Sequence, residues 1–357
     1  RPNHFRTALS IWGSYFNPVT EAVLTQRVDI TQDARMQEVE SDMYYNQVSL
    51  SQKHGKKHRS GLRLFHGYVK GEILKESLGV LPENDRILLD LCCGKGGDLN
   101  RYQSVSAKYV LGIDHSVDNL HNPVDGAYRR LWKLDLVDKK RIVFLAGDVG
   151  KPLKDKSTFH PPYDEAPELQ KLNLKPEFNA ASVFFALHYF FGNQVTANTF
   201  LDNVAATVKT GGFFCGCCYD GSEIFKQLND APYVSFQAQD SEILRIEKQY
   251  STKTFSADSS SLGHKIRVLV QSIGLEHDEY LVHFEYLKNE LEKRGFVEVH
   301  TKNFSEYYSK RADANDSFTM EVSEMNASFL NRAFCFKKTN HIANSKTVKG
   351  SLKIPIS

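Results

Sequence analysis

Residues 86–98 form the stretch RILLDLCCGKGGD. Its first half is a short aliphatic run, Ile87–Leu91, which is too brief for a helix and is typical of a strand buried on both faces of a parallel sheet. Three glycines follow within GKGG, and they allow the backbone to turn sharply and to approach a ligand closely. Residues 98–102 then begin a helix. A strand, a glycine turn and a helix in this order predict a doubly wound α/β fold that holds a nucleotide-like ligand beyond the strand ends.

Two further apolar runs end in an acid, at Asp114 and at Asp148. Asp114 lies 20 residues beyond Gly94, a spacing that suits a carboxylate on a ribose diol. The turn reads CCGKGG rather than the G-x-G-x-x-G of dinucleotide sites, so S-adenosylmethionine fits it better than NAD. The alternative is that the glycines only shape a turn and that Asp114 caps a helix. The second acid, Asp148, makes that alternative the weaker one.

Composition restricts the class of protein. The chain has 357 residues, of which 41% are hydrophobic, and a formal charge of +2, so it can form one large domain or two small ones. Because the overall charge is nearly neutral, any contact with nucleic acid must come from a local patch. No apolar stretch has membrane-spanning length and no signal peptide opens the chain, so we expect no membrane partner. The first residue is Arg1 rather than Met, and we expect a fragment of a longer polypeptide.

The six cysteines include Cys92–Cys93 and the group Cys215, Cys217 and Cys218. They lack the C-x-x-C pairs of zinc sites, and all of them fall within predicted strands, where thiols are usually small buried apolar groups. We therefore expect no metal site. Reduced, structural cysteines predict an intracellular protein.

Before the first strand, residues 1–43 are interpreted as a helical extension. Tyr45 and Asn46 follow, and residues 53–63 form the basic stretch KHGKKHRSGLR, which can neutralise phosphates. A solvated basic loop is an equally good interpretation of residues 53–59. The apolar spacing over residues 62–73 predicts a helix that leads into the first strand.

The rest of the chain divides into short elements. A helix is predicted around residues 128–131, where Arg129 and Arg130 are either phosphate ligands or ordinary exposed arginines. Further predictions are an irregular segment over 150–178, a strand over 181–189, a helix over 197–209 ended by Gly211–Gly212, a strand over 213–219, an insertion over 230–275, a helix over 279–294, and closing strands over 297–301 and 333–336. The tail, 339–357, is polar.

The motif DLCCGKGGDLNRY resembles the DLGCGKGGDLLKW signature of the mRNA cap guanine-N7 methyltransferases. Upstream, YYN followed by LRLFHGYVK is similar to the HYN and LRNFNNWIK of that family. Downstream similarities are LHYFF, GGFFCGCCYDGSEI, DEYLVHFEYL and FCFKK. The resemblance covers residues 44–338 and implies one Rossmann-like, class I S-adenosylmethionine-dependent methyltransferase domain. Such a domain has a mostly parallel seven-stranded sheet with helices on both faces, and here it also carries insertions.

The resemblance also implies partners. The substrate is the capped 5′ end of mRNA (GpppN), and the protein is expected to be a monomer. The divergent motif spellings indicate a large DNA virus, in which triphosphatase and guanylyltransferase domains can share the chain. A viral protein of this kind is expected in the virion and host cytoplasm, and a cellular one in the nucleus.

Residue roles follow from the matched motifs. On the donor side, Lys70 would contact the methionine carboxylate, Asp98 the amino group, Asp114 the ribose and Asp148 the adenine. The full donor set is Lys70, Cys92, Gly94, Asp98, Asp114, Asp148, Phe184 and Tyr189. The residues that match cap-contacting positions, or lie beside them, are Tyr45, Asn46, Lys95, Arg101, His188, Tyr219 and Glu279.

Four positions depart from the family pattern. Cys92 stands where the family has glycine and Phe184 where it has glutamine, while Val149 replaces a serine and Asn331 a tyrosine. None of these changes removes a proton acceptor. The N7 atom of guanine carries a lone pair and no proton, so we expect no acid or base catalyst. Tyr189, His188 and Glu279 would act by positioning.

Other interpretations stay open from the sequence. The chain could methylate another nucleic-acid base or a small molecule, or it could be a scaffold that keeps the fold without activity. The glycine turn with Asp114 and Asp148 argues against a scaffold, and the basic stretch favours capped RNA. Without the resemblance, Glu279 is only a carboxylate at a predicted helix start. The weaker alternatives are that Lys70 is a solvated helix lysine and that His188 and Tyr189 are ordinary strand-end residues.

Overall fold

The structure is a computed structural model, and it describes residues 61–134, 141–173, 176–238, 241–270, 276–313 and 318–340. The predicted extension 1–43, Tyr45, Asn46 and the basic residues up to Arg59 lie outside these ranges, as does all but the start of the tail 339–357.

The described residues contain eleven strands. They are β1 Ile87–Leu91, β2 Tyr109–Asp114, β3 Ile142–Ala146, β4 Phe178–Phe184, β5 Val208–Tyr219, β6 Tyr233–Ala238, β7 Ser241–Lys248, β8 Lys265–Val270, β9 Glu276–Tyr280, β10 Phe296–Asn303 and β11 Asn331–Lys338. Seven of them form a central sheet in the order β10-β11-β5-β4-β1-β2-β3. The pairs among β1 to β5 are parallel, whereas β11 is antiparallel to both of its neighbours. The mostly parallel, seven-stranded sheet predicted from the sequence is confirmed.

The α-helices of the described part are α1 Gly61–Ser77, α2 Leu99–Ser104, α3 Val117–His121, α4 Ala127–Lys133, α5 Gln170–Asn173, α6 Gln194–Thr207, α7 Gly221–Gln227, α8 Phe284–Glu292, α9 Phe304–Asp313 and α10 Val322–Ser328. Short 3₁₀ turns occupy Leu78–Val80, Glu83–Asp85, Lys156–Thr158, Tyr163–Glu165, Pro167–Leu169, Leu187–Phe190 and Ser259–Ser261. None of these helices is both long enough and apolar enough to cross a membrane.

Helices cover both faces of the central sheet. Alternate side chains of β1 point to opposite faces, so Leu89 and Leu91 enter one apolar core and Leu88 enters the other. The first core includes residues of α6 and α8, and the second includes residues of α1, α2 and α9. Because the central strands are covered on both sides, their apolar runs are nearly continuous, as the sequence of β1 indicated.

A second sheet accounts for the predicted insertion at 230–275. Its strands pair antiparallel in the order β6-β7-β8-β9 and extend to Tyr280. One face of this sheet packs on a third apolar cluster that includes Ile224, Leu228 and Leu330. In the other predicted irregular segment, 150–178, the described residues 150–173 and 176–178 form 3₁₀ turns, the four-residue α5 and the first residue of β4.

Two boundary predictions near the site are wrong. The strand predicted over 181–189 starts earlier and ends at Phe184, because Phe185 adopts a φ of 54° and turns the chain into Leu187–Phe190. The helix predicted over 197–209 ends at Thr207, so Gly211–Gly212 lie inside β5 instead of ending a helix.

The helix predicted over 279–294 is also wrong at its start. Glu279 lies on β9, opposite Ile266 of β8, and α8 begins only at Phe284. His283 caps that helix by accepting a hydrogen bond from the backbone N–H of Tyr286. Pairing with β8 therefore fixes residues 276–280 as a strand. Local helical spacing does not determine their conformation.

The cysteine prediction needs one correction. Cys215, Cys217, Cys218 and Cys335 lie buried in strands, as predicted. Cys92 and Cys93 instead follow the last residue of β1 and belong to the glycine turn.

Candidate active site

The residues predicted to bind the methyl donor gather along one edge of the central sheet. The carboxyl ends of the parallel strands β3, β2, β1, β4 and β5 lie side by side there, in that order. Asp114 ends β2, Phe184 ends β4, and Asp148 follows β3 by two residues. In open α/β sheets this edge is where ligands bind.

Asp114 ties the glycine turn to β2. Its Oδ2 accepts a hydrogen bond from the backbone N–H of Gly94 at 2.7 Å, and its Oδ1 accepts from the backbone of Ser116 at 3.0 Å and from Nδ2 of Asn119 at 2.9 Å. Burial raises the pKa of this carboxyl, and the three donors act against that shift. A carboxylate can accept about four hydrogen bonds, so Asp114 can accept roughly one more, from a ligand.

The turn itself is open toward a ligand. A Cβ added at Gly94 or at Gly97 would meet no atom within 4 Å, so both glycines border free space. Gly94 and Gly96 have φ values of 53° and 65°, which glycine adopts without steric cost. Cys92 has a φ of 60° although it carries a side chain, and this explains why the related family has glycine there.

Lys70 and Asp98 form an ion pair at the start of α2. Lys70 Nζ lies 2.7 Å from Asp98 Oδ2, and Arg101 donates to Asp98 Oδ1 at 2.7 Å. The Lys70 ammonium also lies 5.4 Å from the ring centroid of Phe184, within the range of a cation–π contact. The Lys70 ammonium and the Asp98 carboxylate are complementary to the carboxylate and the amino group of an amino acid.

These residues fit S-adenosylmethionine. The Lys70–Asp98 ion pair suits the charged methionine end of this molecule. The open face of the glycine turn allows the molecule to come close to the backbone. The Asp114 carboxylate can accept a hydrogen bond from a ribose hydroxyl. Asp148 has a half-exposed side chain that accepts from the backbone of Gly150 at 2.9 Å and lies 3.4 Å from Lys151 Nζ. Its remaining acceptor positions suit the adenine amino group. The individual contacts of these residues with S-adenosylmethionine stay predictions.

His188, in the turn that follows β4, and Glu279, on β9, form a buried pair. His188 Nδ1 lies 3.4 Å from Glu279 Oε2, and the two side chains are only 6% and 10% exposed. Among the described residues, no hydrogen bond reaches either ring nitrogen of His188 or Oε2 of Glu279. Buried polar groups normally have partners, so this pair is placed to receive donors and acceptors from a ligand.

Burial also sets the charges of this pair. It lowers the pKa of His188 to about 3, assisted by the nearby charge of His277, and raises the pKa of Glu279 to about 8. Although the 3.4 Å spacing is that of an ion pair, burial favours the uncharged form of both groups near pH 7.

Two tyrosines border the pair. The ring of Tyr189 lies 4.2 Å from the ring of His188 and 5.4 Å from that of His277, in edge-to-face geometry. Tyr219 ends β5, and burial followed by the charge of Glu279 raises its pKa. The structure therefore brings His188, Tyr189, Tyr219 and Glu279 together.

Lys95 and Arg101 are held by protein partners. Lys95 Nζ lies 3.1 Å from Asp125 Oδ1, while Arg101 also donates to the backbone oxygens of Gly67 and Gly97 at 2.7 and 3.0 Å. Arg101 thus joins α1 to the glycine turn, and its predicted contact with a cap stays a prediction. Arg130, whose pKa is lowered by burial and by the charge of Arg63, adds a cation beside Asp125.

Sequence reasoning missed Asp90, the one charged residue inside β1. Its carboxyl accepts hydrogen bonds from Ser182 of β4 at 2.5 Å and from Tyr102 of α2. Burial, together with the charge of Asp98, raises its pKa to about 7. The signal was present in the sequence, because an acid inside an otherwise aliphatic buried strand needs partners.

The strand order, the glycine turn after β1 and the acids that follow β2 and β3 define a class I, S-adenosylmethionine-dependent methyltransferase fold. A family model described as the mRNA (guanine-N(7))-methyltransferase domain matches residues 29–351, most of the chain. The chain therefore belongs to the mRNA cap guanine-N7 methyltransferase family.

Known relatives agree with the family. The chain is 23% identical to the probable mRNA-capping enzyme of Acanthamoeba polyphaga mimivirus, over 95% of this chain and 33% of that protein. It is 27% identical to the mRNA cap guanine-N(7) methyltransferase of Cryptococcus neoformans (72% of this chain, 38% of that protein). Identity to the Drosophila melanogaster enzyme of the same name is 23% (82% and 66%). The chain thus spans between one third and two thirds of these relatives.

Proposed function

We propose that this protein transfers a methyl group from S-adenosylmethionine to N7 of the guanosine cap of mRNA. The observation that carries the proposal is the buried His188–Glu279 pair, whose polar atoms have no hydrogen-bond partner among the described residues. Family membership and the curated relatives support the same activity. The substrate is a capped 5′ end, and triphosphatase and guanylyltransferase domains on the same chain are part of the proposal.

Glu279 suits guanine better than adenine. As a carboxylate it accepts hydrogen bonds only, and guanine presents two adjacent donors, N1–H and the N2 amino group. Adenine presents an acceptor at N1, which would face the carboxylate unfavourably. Because burial makes the Glu279 charge costly, a ligand that supplies two donors gains from pairing with it.

The side chains position the substrate rather than move protons. Guanine N7 carries a free lone pair, so no residue must remove a proton from it. S-adenosylmethionine, when bound, supplies an electrophilic methyl group on sulfur. Tyr189 follows β4 by five residues and its ring packs on His188 at 4.2 Å, and we propose that this ring fixes the distance between the two ligands. Alignment of two reactants can supply about 7–11 kcal/mol of a barrier in favourable cases.

Basic side chains beside the site suit the cap phosphates. Asp125 pairs with two cations, Lys95 of the glycine turn and Arg130 of α4. Burial lowers the pKa of Arg130, and Arg63 of α1 lies close enough to lower it further. Arg63 is the last residue of the basic stretch 53–63. Lysine and arginine that neutralise phosphates give salt-dependent affinity for RNA.

The direct test is methyl transfer from radiolabelled S-adenosylmethionine to GpppA-capped RNA, with the same RNA uncapped as the control. We expect label only in the capped RNA, and nuclease digestion should release it as 7-methylguanosine. Equal labelling of the uncapped RNA, or label on another base, would replace the proposal with a methyltransferase of different specificity. No transfer to any RNA by the folded, donor-binding protein would refute it.

A further inference from the structure

The second sheet has an unusual pattern at its last strand. Residues opposite each other on β8 and β9 point to the same face, and these pairs are Ile266 with Glu279 and Val268 with His277. Ile266 and Val268 are buried in the third apolar cluster. The matching positions on β9 would ordinarily be apolar too, yet they carry a glutamate and a histidine. Polar residues on the covered face of a sheet are informative, because burial without a role is unfavourable.

The opposite face of β9 is an ordinary polar surface. Asp278 points there and pairs with Lys265 and with Arg267, whose Nε lies 3.1 Å from Asp278 Oδ1. Glu276 is exposed on the same face. These ion pairs hold β9 against β8, so the orientation of His277 is set by the strand register and not by a mobile loop.

His277 reaches the site through an aromatic contact. Its ring centroid lies 5.4 Å from that of Tyr189, with an angle of 77° between the ring planes. Tyr189 in turn lies edge-to-face on His188, at 4.2 Å and 66°. The three rings therefore form a continuous wall from β9 to the turn Leu187–Phe190, beside Glu279.

We propose that His277 is a positioning residue that fixes the ring of Tyr189 and thereby the alignment of the cap guanine with the methyl donor. The proposal rests on the proposed function and gives the second sheet a role, because that sheet supplies both His277 and Glu279 to the site. Edge-to-face aromatic contacts favour one ring orientation over others. A small misplacement of a reacting group can cost up to about a hundredfold in rate.

The test compares His277→Leu, which keeps the bulk, with His277→Phe, which keeps an aromatic ring. With GpppA as substrate, we expect kcat to fall about tenfold to a hundredfold in His277→Leu and to recover most of the loss in His277→Phe. The KM for the donor and the thermal midpoint should stay at the wild-type values in both. Glu276→Gln, on the other face of the same strand, is the matched control and should have wild-type kcat.

Two results would overturn the inference. One is a wild-type kcat in His277→Leu, and the other is an equal loss in His277→Leu and His277→Phe, which would show that the ring contact is not what matters. If His277→Leu fails to fold, the comparison of His277→Phe with His277→Gln decides, since only the first keeps the contact. A wild-type protein that does not methylate GpppA would refute the proposed function itself, which is a different outcome.

Discussion

Nδ1 of His188 lies 3.4 Å from Oε2 of Glu279, and burial keeps both side chains uncharged near neutral pH. Two residues from distant parts of the chain, one after β4 and one on the second sheet, meet only in the folded protein. Their pairing links the turn that follows β4 to the second sheet. The pair also makes the chemistry of the site dependent on pH.

Cap affinity should rise with pH up to about pH 8. The binding form of Glu279 is the carboxylate, but its pKa before a ligand binds is about 8, so below that pH a proton must leave first. Each pH unit below 8 then costs about 1.4 kcal/mol, or roughly tenfold in affinity. Calorimetric titration of GpppA from pH 6 to 9 should show this rise and then a plateau.

Glu279→Gln is the control for that profile, because it has no proton to lose. Its affinity should be low and nearly independent of pH over the same range. His188, with a pKa of about 3, does not titrate there and cannot produce the rise. A flat profile in the wild type, or an equal slope in both proteins, would show that Glu279 does not bind the cap as a carboxylate.

Asp90 should make folding stability depend on pH in the opposite sense from an acid whose pKa is lowered by an ion pair. Its folded pKa is about 7 and its ordinary value is 3.8, so between these values the folded protein holds a proton that the unfolded chain has lost. Stability from this group is therefore present at low pH, falls by up to about 1.4 kcal/mol per unit as pH rises from about 4 to 7, and is constant above. Urea unfolding of wild type and Asp90→Asn should give a free-energy difference with this slope. A difference that is constant with pH would contradict it.

Asp114→Ala should weaken donor binding more than tenfold, because the carboxylate both receives the ribose and holds Gly94. Calorimetry with S-adenosylmethionine measures the loss. Asn119→Ala is the matched control, since it removes one partner of Asp114 and leaves the carboxylate in place. A folded Asp114→Ala protein with unchanged donor affinity would remove this residue from the donor site.

At position 92 glycine should be more stable than alanine. Both substitutions remove the sulfur, but only glycine relieves the left-handed backbone at φ 60°, which costs other residues roughly 1–2 kcal/mol. Chemical unfolding should place Cys92→Gly about 1 kcal/mol above Cys92→Ala. The neighbouring Cys93 has ordinary backbone geometry, so there the order should reverse. The same order at both positions would mean that the turn is not strained at Cys92.

The sequence predicted the features that are encoded by neighbouring residues and missed those that depend on contacts between distant residues. The strand β1, the glycine turn, Asp114 and Asp148 form contiguous patterns, and all fell where they were predicted. Glu279 was predicted to start the helix 279–294, but it lies on β9, a strand that is set by its pairing with β8. His277 gave no signal for the same reason. Arg101 matched a cap position by motif, yet its hydrogen bonds to Gly67 and Gly97 became visible only in three dimensions.

The proposed role of Glu279 is to recognise the guanine of the cap. The most direct measurement is the rate of methyl transfer by wild type and Glu279→Gln to caps that carry guanosine or inosine, which lacks the N2 amino group. We expect inosine to lower wild-type kcat/KM by about tenfold or more, the loss of one hydrogen bond to a charged group, and to change the already low rate of Glu279→Gln far less. Donor affinity should be the same in both proteins. Equal sensitivity of the two proteins to inosine would contradict the account.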